Sequence, residues 1–568
     1  MITMARTVAV GVQNFESYIE RNCFYIDKTK FIKQWWNSND DTTVIMRPRR
    51  FGKTLTMDMV KTFFSVEYKE KGEALFGNLE IWQDEEMRNL QGTYPVIFLT
   101  FADIKTNNYE RLIRDFRAKF AELFRRYDYL LKSDKVNETQ KKKFIVVENE
   151  STTVNLKAVV KLLSEMLYIH HEKKPIIILD EYDTPMQEAY ISGYWSEAVE
   201  FLRNFFNSTF KTNPYLNRSL MTGITRISKE SIFSDFNHVQ MVTMQSSKYA
   251  DCFGFTEEEV FAAMDECGLM EKDIVKKWYN GFHIGNKTDI YNPWSIINYL
   301  SNEGRLAPYW ANSSSNGLIN KMIREGNADV KLKLDKLLRD EPIEEYLNDE
   351  IIFNNLDDDE TAMWSLFYAS GYVTGDCVSG IENDQLMPLY KLHITNLETK
   401  NMFRNMVIGW FAKVKSTYND FIKAMLLDDV DYMEEFMNKI ALATFSSFDA
   451  GKKTSESTEP EKFYHGFVLG MMVDLRNRFI ITSNRESGFG RYDIMLEPKN
   501  DEDNAIIIEF KVFKPKKDGT LENTVKNALK QIDDMKYATI FLEKGIPAER
   551  IRKYGFAFEG KKVLIGSE

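Results

Sequence analysis

The stretch RPRRFGKT at 47–54 constrains this chain more than any other. It follows the apolar run Val44-Ile45-Met46 and precedes Leu55-Thr56-Met57-Asp58-Met59-Val60, which reads as a helix. A strand that runs through a tight loop straight into a helix aims backbone N–H groups and the positive end of the helix dipole at one point, where anionic oxygens are favoured. Gly52-Lys53-Thr54 closes the pattern G-x-x-x-x-G-K-[ST], with Arg47 standing where the first glycine is expected. In that pattern Lys53 reaches the β- and γ-phosphates and the Thr54 hydroxyl ligates Mg²⁺. The loop residues Arg47, Pro48, Arg49, Arg50, Phe51, Gly52, Lys53 and Thr54 are therefore the expected contacts of a nucleoside triphosphate. Arg47, Arg49 and Arg50 either add charge near the phosphates or are solvated surface arginines.

Such a loop needs an acidic strand end beside it. Ile176-Ile177-Ile178-Leu179-Asp180-Glu181 supplies one, and its four apolar residues fit a central parallel strand buried on both faces. Asp180 is placed to hold Mg²⁺, directly or through water. Glu181 is placed to orient and polarise the water that attacks the γ-phosphate. Further on, SLMTGITR (219–226) is an apolar strand ending in Thr222. Arg226 then falls where a γ-phosphate sensor sits, or merely follows the polar end of a core strand.

At 568 residues the chain is too long for one ordinary core, and three domains are expected. Residues 1–240 alternate short apolar strands (Thr43–Met46, Pro95–Phe101, Pro175–Leu179, Ser219–Gly223) with amphipathic helices (Tyr109–Tyr129, Val154–His170), the pattern of a parallel α/β sheet. Ser133–Thr153 is polar and Lys-rich, as a surface insertion would be. Residues 241–450 change to helical spacing in Glu257–Cys267, Asp273–Tyr279, Trp294–Leu300 and Met402–Val414. The polar run 447–460 reads as a linker. Residues 451–568 return to α/β: helices near Lys462–Asn477 and Leu521–Met535, strands near Phe479–Ser483, Tyr492–Leu496, Ala505–Val512 and Tyr537–Leu542, and an edge strand at Val563-Leu564-Ile565.

A second cluster lies in this last part. Period-two alternation puts Glu509 and Lys511 on one face of the Ile-Ile-Ile-Glu-Phe-Lys strand, and Asp493 on the neighbouring strand can meet them. Two carboxylates and a lysine on adjacent strands suit Mg²⁺-dependent phosphodiester cleavage. Asp493 and Glu509 hold the metal, and the lysine positions the water or stabilises the transition state. Glu461, at the start of the upstream helix, is a candidate extra acid, and Gln531 on the downstream helix can orient the site. The competing reading is an ordinary amphipathic strand with a salt bridge.

The net charge of −11 argues against a uniformly basic nucleic-acid coat while leaving room for a local basic patch. The four cysteines form no CxxC pair, and the N-terminus lacks the apolar core of a leader. Both point to a reduced, cytoplasmic protein. No run of about eighteen apolar residues exists to span a membrane.

These motifs together resemble bacterial AAA-ATPase-like proteins whose C-terminal domain belongs to the PD-(D/E)XK nuclease superfamily. The resemblance is carried by FYIDKTKFI (24–32), RPRRFGKT (47–54), IIILDEYDTP (176–185), GITRISKESIFSDFNHV (223–239), FGFTEEEV (253–260), KWYNGFHIG (277–285) and YNPWSIINYL (291–300). Towards the C-terminus it is carried by EKFYHGFVLG (461–470), SGFGRYDIML (487–496), IIIEFKV (506–512) and ALKQIDDMKYA (528–538). It implies ATP at Lys53 and Thr54 with Asp180 and Glu181 as the acidic pair, and makes Arg47 usual for the family. It also implies a restriction-endonuclease-like fold with Asp493, Glu509 and Lys511 as its triad. The expected protein is thus α/β, with a P-loop NTPase (AAA-like) parallel sheet, a helical middle and a nuclease-like end. ATP and Mg²⁺ are its cofactors, DNA or RNA its partner, and a homo-oligomer is an open possibility. The competitor is an ATP-dependent switch whose C-terminal domain binds nucleic acid or protein without cutting. A GTPase is disfavoured by the want of an N-K-x-D signature.

Overall fold

The computed structural model describes residues 7–225, 239–311, 317–325, 328–348, 359–379, 387–410, 415–445, 468, 472, 475, 478–483, 486–487, 490–491, 493–559 and 562–568. The described residues gather into two compact units, one of 1–324 with 337–402 and one of 325–336 with 403–568. Arg226, Glu461, the 447–460 linker and nearly all of the helix expected at Lys462–Asn477 lie outside the described residues.

The first unit is built on five parallel strands: β1 (Thr42–Met46), β2 (Val96–Thr100), β3 (Ile176–Asp180), β4 (Arg218–Gly223) and β5 (Val239–Val242), in the order 2-3-4-1-5. β1 and β3 are buried along their whole length, as unbroken apolar runs in a covered parallel sheet must be. β4 lies between them, so the phosphate-type loop after β1 and the acidic end of β3 flank the end of β4. β5 was not foreseen. It is short, and its sequence, Val-Gln-Met-Val, lacks a long apolar run.

Helix α1 (Lys53–Phe64) follows the loop, and its cap, Gly52, has φ +77, a left-handed turn that glycine adopts without a Cβ penalty. Helices α2 (Tyr109–Arg125), α3 (Glu138–Glu148) and α4 (Val159–His171) cover one flank. The Lys-rich insertion is α3. Asn137 and Gln140 form a reciprocal capping box, and buried Phe144 packs its ring 4.8 Å from Phe124. Helices α5 (Thr184–Ser192) and α6 (Trp195–Phe206) follow the acidic strand.

The stretch after β5 is helical at Glu257–Glu266, Lys272–Tyr279, Pro293–Ser301 and Leu397–Trp410, as its periodicity predicts. It also carries two small antiparallel sheets. One is β6 (Phe255–Thr256), β7 (Phe282–Ile284) and β8 (Lys287–Tyr291), ordered 6-8-7. The other is β9 (Ile343–Tyr346), β10 (Val373–Ser379) and β11 (Leu389–Ile394), ordered 10-11-9.

The second unit has one mixed sheet in sequential order: β12 (Phe479–Ser483), β13 (Ile494–Pro498), β14 (Ala505–Val512), β15 (Ile551–Glu559) and β16 (Lys562–Ser567). All pairs are antiparallel except β14–β15, which helix α7 (Leu521–Asp534) joins as a parallel crossover. The strand expected at Tyr537–Leu542 is instead a short helix, α8 (Thr539–Glu543). Its backbone closes on itself, with Leu542 N donating to Ala538 O at 3.1 Å, and Tyr537 and Phe541 are buried against Ile507, Ile532 and Ile551 while Thr539, which a strand would put on the same face, is only half-buried. The pairing partner of β14 is therefore β15, further along the chain.

Candidate functional sites

The phosphate-type loop converges with the ends of β3 and β4 at the carboxyl end of the sheet's central strands. Thr54 Oγ1 donates to Asp180 Oδ2 at 2.7 Å, and Thr222 Oγ1 donates to Asp180 Oδ1 at 2.6 Å. Asp180 is fully buried, which raises its carboxyl pKa, and the two hydroxyls oppose that rise. Lys53 is 5% exposed, and its Nζ donates to the carbonyls of Arg47 (2.9 Å) and Pro48 (2.8 Å). Burial lowers its pKa, while the charges of Glu181, Asp180 and Asp183 hold it up. Glu181 sits at φ +52, in the left-handed region that a glutamate rarely adopts, and its Oε2 accepts from Thr184 Oγ1 at 3.1 Å. A hydroxyl pair on a buried carboxylate beside an ammonium is a donor set that fits Mg²⁺ with a polyphosphate.

The three arginines separate. The Arg47 side chain is fully buried and donates to the carbonyls of Met46 (2.8 Å), Thr243 (2.8 Å) and Tyr249 (3.3 Å), with Phe253 below it at 5.8 Å. It neither turns towards a phosphate nor lies on the surface, so both sequence alternatives for this side chain are corrected. What Arg47 offers the loop is its carbonyl, on which Lys53 rests. Arg49 Nη2 donates to Gln187 Oε1 on α5 at 3.1 Å. Arg50, at φ +64, stacks over Trp294 at 4.4 Å.

Sequence reasoning missed Asp183, which is 1% exposed. Its Oδ2 accepts from Ile224 N (2.9 Å), Thr225 N (3.1 Å) and Gln187 Nε2 (2.9 Å), which ties the acidic motif to the segment after β4. The signal was present as the third acid of Asp-Glu-Tyr-Asp.

In the second unit, Asp493 Oδ2 accepts from Phe510 N at 2.8 Å, which places it beside Glu509 across the β13–β14 pair. Glu509 is 3% exposed, and Lys511 Nζ lies 3.8 Å from its Oε1. Gln531 bridges the two: its Oε1 accepts from Lys511 Nζ at 2.5 Å, and its Nε2 donates to Glu509. Helix α7 can carry Gln531 this close because residue 555, opposite Glu509 on β15, is glycine. A Cβ there would meet Val525 O at 2.9 Å. Tyr537 is a further neighbour, with its hydroxyl 3.3 Å from Gln531 Nε2. Burial, with the charges of Glu509 and Asp493, raises its pKa against the opposing bond from Gln531. Among the described residues, no three His, Cys, Asp or Glu side chains gather as a metal cage. The two carboxylates with a flanking lysine are nevertheless a donor set that fits a divalent cation sharing its shell with substrate and water.

A five-stranded parallel sheet whose first strand enters a G-K-T loop, with an acidic strand two places away, defines the P-loop NTPase fold. The mixed sheet bearing Asp, Glu-x-Lys defines a restriction-endonuclease-like one. Residues 9–233 match the family model described as Predicted AAA-ATPase, and residues 459–568 match that of the PD-(D/E)XK nuclease superfamily. The chain joins an AAA-ATPase-like domain to a PD-(D/E)XK nuclease superfamily domain. It is also similar to the "Uncharacterized protein in vnfD 5'region" of Azotobacter chroococcum mcd 1, at 22% identity over 398 residues, which covers 70% of this chain and 68% of that one. Among the described residues, no helix is long and apolar enough to cross a membrane.

Proposed function

We propose that the chain binds and hydrolyses ATP at its first site and that the nucleotide state governs Mg²⁺-dependent cleavage of nucleic acid at its second. The observation that carries this reading is that each half brings a set of polar groups together: Thr54 and Thr222 on Asp180, and Gln531 between Glu509 and Lys511. Lys53 would leave the loop carbonyls for the β- and γ-phosphates, and Thr54 with Asp180 would hold Mg²⁺. Glu181 would take the proton of the attacking water, and the backbone N–H groups at the start of α1 would receive the charge that builds on phosphate.

At the second site Asp493 and Glu509 would hold the metal, which supplies charge neutralisation and an acidified water. Lys511, kept in place by Gln531, would orient that water and meet the negative charge of the phosphorane. Gln531 thus acts as a positioning residue. Arg226 and Glu461 are retained as candidates from sequence, for γ-phosphate contact and as an extra acid respectively.

A second reading, a nucleotide switch whose C-terminal domain binds without cutting, is favoured by the net charge of −11, which leaves no uniformly basic coat for nucleic acid. ATP turnover and plasmid cleavage in Mg²⁺ decide between the two, with wild type compared with Lys53→Ala and Lys511→Ala. Loss of turnover in the first and of cleavage in the second is expected. Tight ATP binding with negligible turnover and no cleavage in Mg²⁺ or Mn²⁺ would select the switch. Cleavage undiminished in Lys511→Ala would remove the nuclease assignment.

A further inference from the structure

The motifs FGFTEEEV, KWYNGFHIG and YNPWSIINYL have no part in the chemistry above, yet in the folded first unit they converge on the phosphate-type loop. The Arg49 carbonyl accepts from Asn292 Nδ2 at 3.2 Å and from Trp310 Nε1 at 3.1 Å. Arg50 stacks on Trp294 at 4.4 Å, and the Phe51 ring meets Phe282 at 4.9 Å. Asn292 is itself fixed, because its Oδ1 caps the helix Pro293–Ser301 by accepting from Trp294 N and Ser295 N. Trp310 is fixed by Glu398, a buried carboxylate whose Oε1 accepts from Trp310 N at 2.6 Å and whose Oε2 accepts from Ser295 Oγ at 2.8 Å. One acid at the start of the helix Leu397–Trp410 thus holds both arms of a clamp on a single loop carbonyl.

The clamp has a task that follows from Lys53. With its Nζ on the carbonyls of Arg47 and Pro48, the lysine ties the loop together from inside. If Lys53 is to reach a phosphate it must release those carbonyls, and the loop then keeps its shape through its outer contacts, the nearest to the lysine's anchors being the one on Arg49. We infer that Asn292, Trp310 and Glu398 form a positioning network that sets nucleotide affinity and carries the loop's occupancy to the helix that starts at Leu397. This inference rests on the ATP-binding reading above. Coupling of this kind is reciprocal: a clamp that tightens ATP binding is itself tightened by ATP.

The test uses the full chain, with Mg-ATP titrated calorimetrically and amide hydrogen exchange followed at 397–402. Trp310→Phe keeps a ring between Phe282 and Tyr372 and removes the Nε1 donor together with part of the indole's volume. It should raise the Kd for Mg-ATP about fivefold, the worth of one such hydrogen bond, measured well below the thermal midpoint, which the lost ring volume lowers. Glu398→Ala should do the same, and Glu398→Gln, which still accepts from Trp310 N, should restore binding. In wild type, Mg-ATP should slow exchange at 397–402, and Trp310→Phe should weaken that protection. Wild-type affinity in both disrupted variants, or ATP protection at 397–402 that is unchanged by Trp310→Phe, would overturn the network while leaving the nucleotide site standing. A wild-type chain that binds no Mg-ATP would remove the nucleotide reading, and the network with it.

Discussion

Arg47→Gly would turn the loop into the regular G-x-x-x-x-G-K-T pattern, and on motif grounds alone it should be harmless or beneficial. The structure argues the opposite. The Arg47 guanidinium is a fully buried linker whose donors satisfy the carbonyls of Met46, Thr243 and Tyr249 at 2.8, 2.8 and 3.3 Å. Glycine removes one donor from each of those carbonyls, of which Thr243 O keeps Ser246 N and Tyr249 O keeps Cys252 N, and it opens a cavity the size of the side chain. A buried carbonyl stripped of its partner costs about 1–3 kcal/mol, and glycine adds up to about 1 kcal/mol of backbone entropy. Two terms work the other way. Water entering a polar cavity restores part of the bonding, and burying a guanidinium is itself unfavourable, as the fall of its pKa to about 10 reflects. A net loss of about 3 kcal/mol is expected, a fall in thermal midpoint of about 4 °C for a unit of this size. Nucleotide binding should weaken too, because the Arg47 carbonyl that seats Lys53 loses its fixed position. Thermal unfolding by near-ultraviolet circular dichroism, with Mg-ATP titration of the folded variant, measures both. An Arg47→Gly protein as stable as wild type, or one that binds Mg-ATP more tightly, would refute the structural role of this arginine.

Three other perturbations separate neighbouring claims. Asp183→Asn places an amide N–H₂ or a lone oxygen before the donors of Ile224, Thr225 and Gln187, and should cost about 2–3 kcal/mol. It should lower ATP turnover more than ATP affinity, since the segment it fixes lies after β4; a fall in affinity alone in a steady-state assay would count against that placement. Gln531→Ala removes the bridge between Lys511 and Glu509 and should slow plasmid nicking in Mg²⁺ by about tenfold to a hundredfold without unfolding the domain; an unchanged rate would make Gln531 a bystander. Glu398 has its carboxyl pushed up to about 7 from 4.5, mainly by burial and against the bonds from Ser295, Trp310 and Ala311. Between those two values the native chain keeps a proton that the unfolded chain has released. Its contribution is therefore full below about pH 4.5 and is lost as pH rises through 7, on the order of 3 kcal/mol in all. Glu398→Gln should flatten that slope in midpoints measured from pH 5 to 8; an identical slope in the variant would place the titration elsewhere.

What could be read from the sequence depended on whether a residue's role is local. β1, β3, β4 and β14 announce themselves as apolar runs bounded by turns or charge, and the candidates Lys53, Thr54, Asp180, Glu509 and Lys511 are singled out by their place on or beside those runs. The fold class followed from the alternation of strands and helices. The errors came where tertiary contacts decide. Tyr537–Leu542 has strand composition but closes its own backbone bond from Leu542 N to Ala538 O as a helical turn, and Ile551–Glu559 pairs with β14 only because α7 brings the chain back parallel. Asp183 has a role that only the fold supplies, because its donors Ile224 N, Thr225 N and Gln187 Nε2 come from the segment after β4 and from α5.

The loop arginines make the same point most sharply. Three arginines within four positions, Arg47, Arg49 and Arg50, look interchangeable in a string, and each was a candidate for the same phosphate. They diverge because of what other segments, some 140 to 250 residues further on, bring to each: carbonyls and Phe253 to Arg47, Gln187 to Arg49, Trp294 to Arg50. The substitution at the first loop position is thus not a degraded motif. A glycine there in other phosphate loops leaves the loop to shape itself; here an arginine joins the loop to the edge of the sheet, and Asn292 and Trp310 hold it from outside. A loop held at so many points has little freedom to rearrange alone, so a nucleotide that displaces Lys53 must either leave the loop unmoved or shift the segments that hold it. The second outcome is what a chain needs if its nucleotide site is to control anything else.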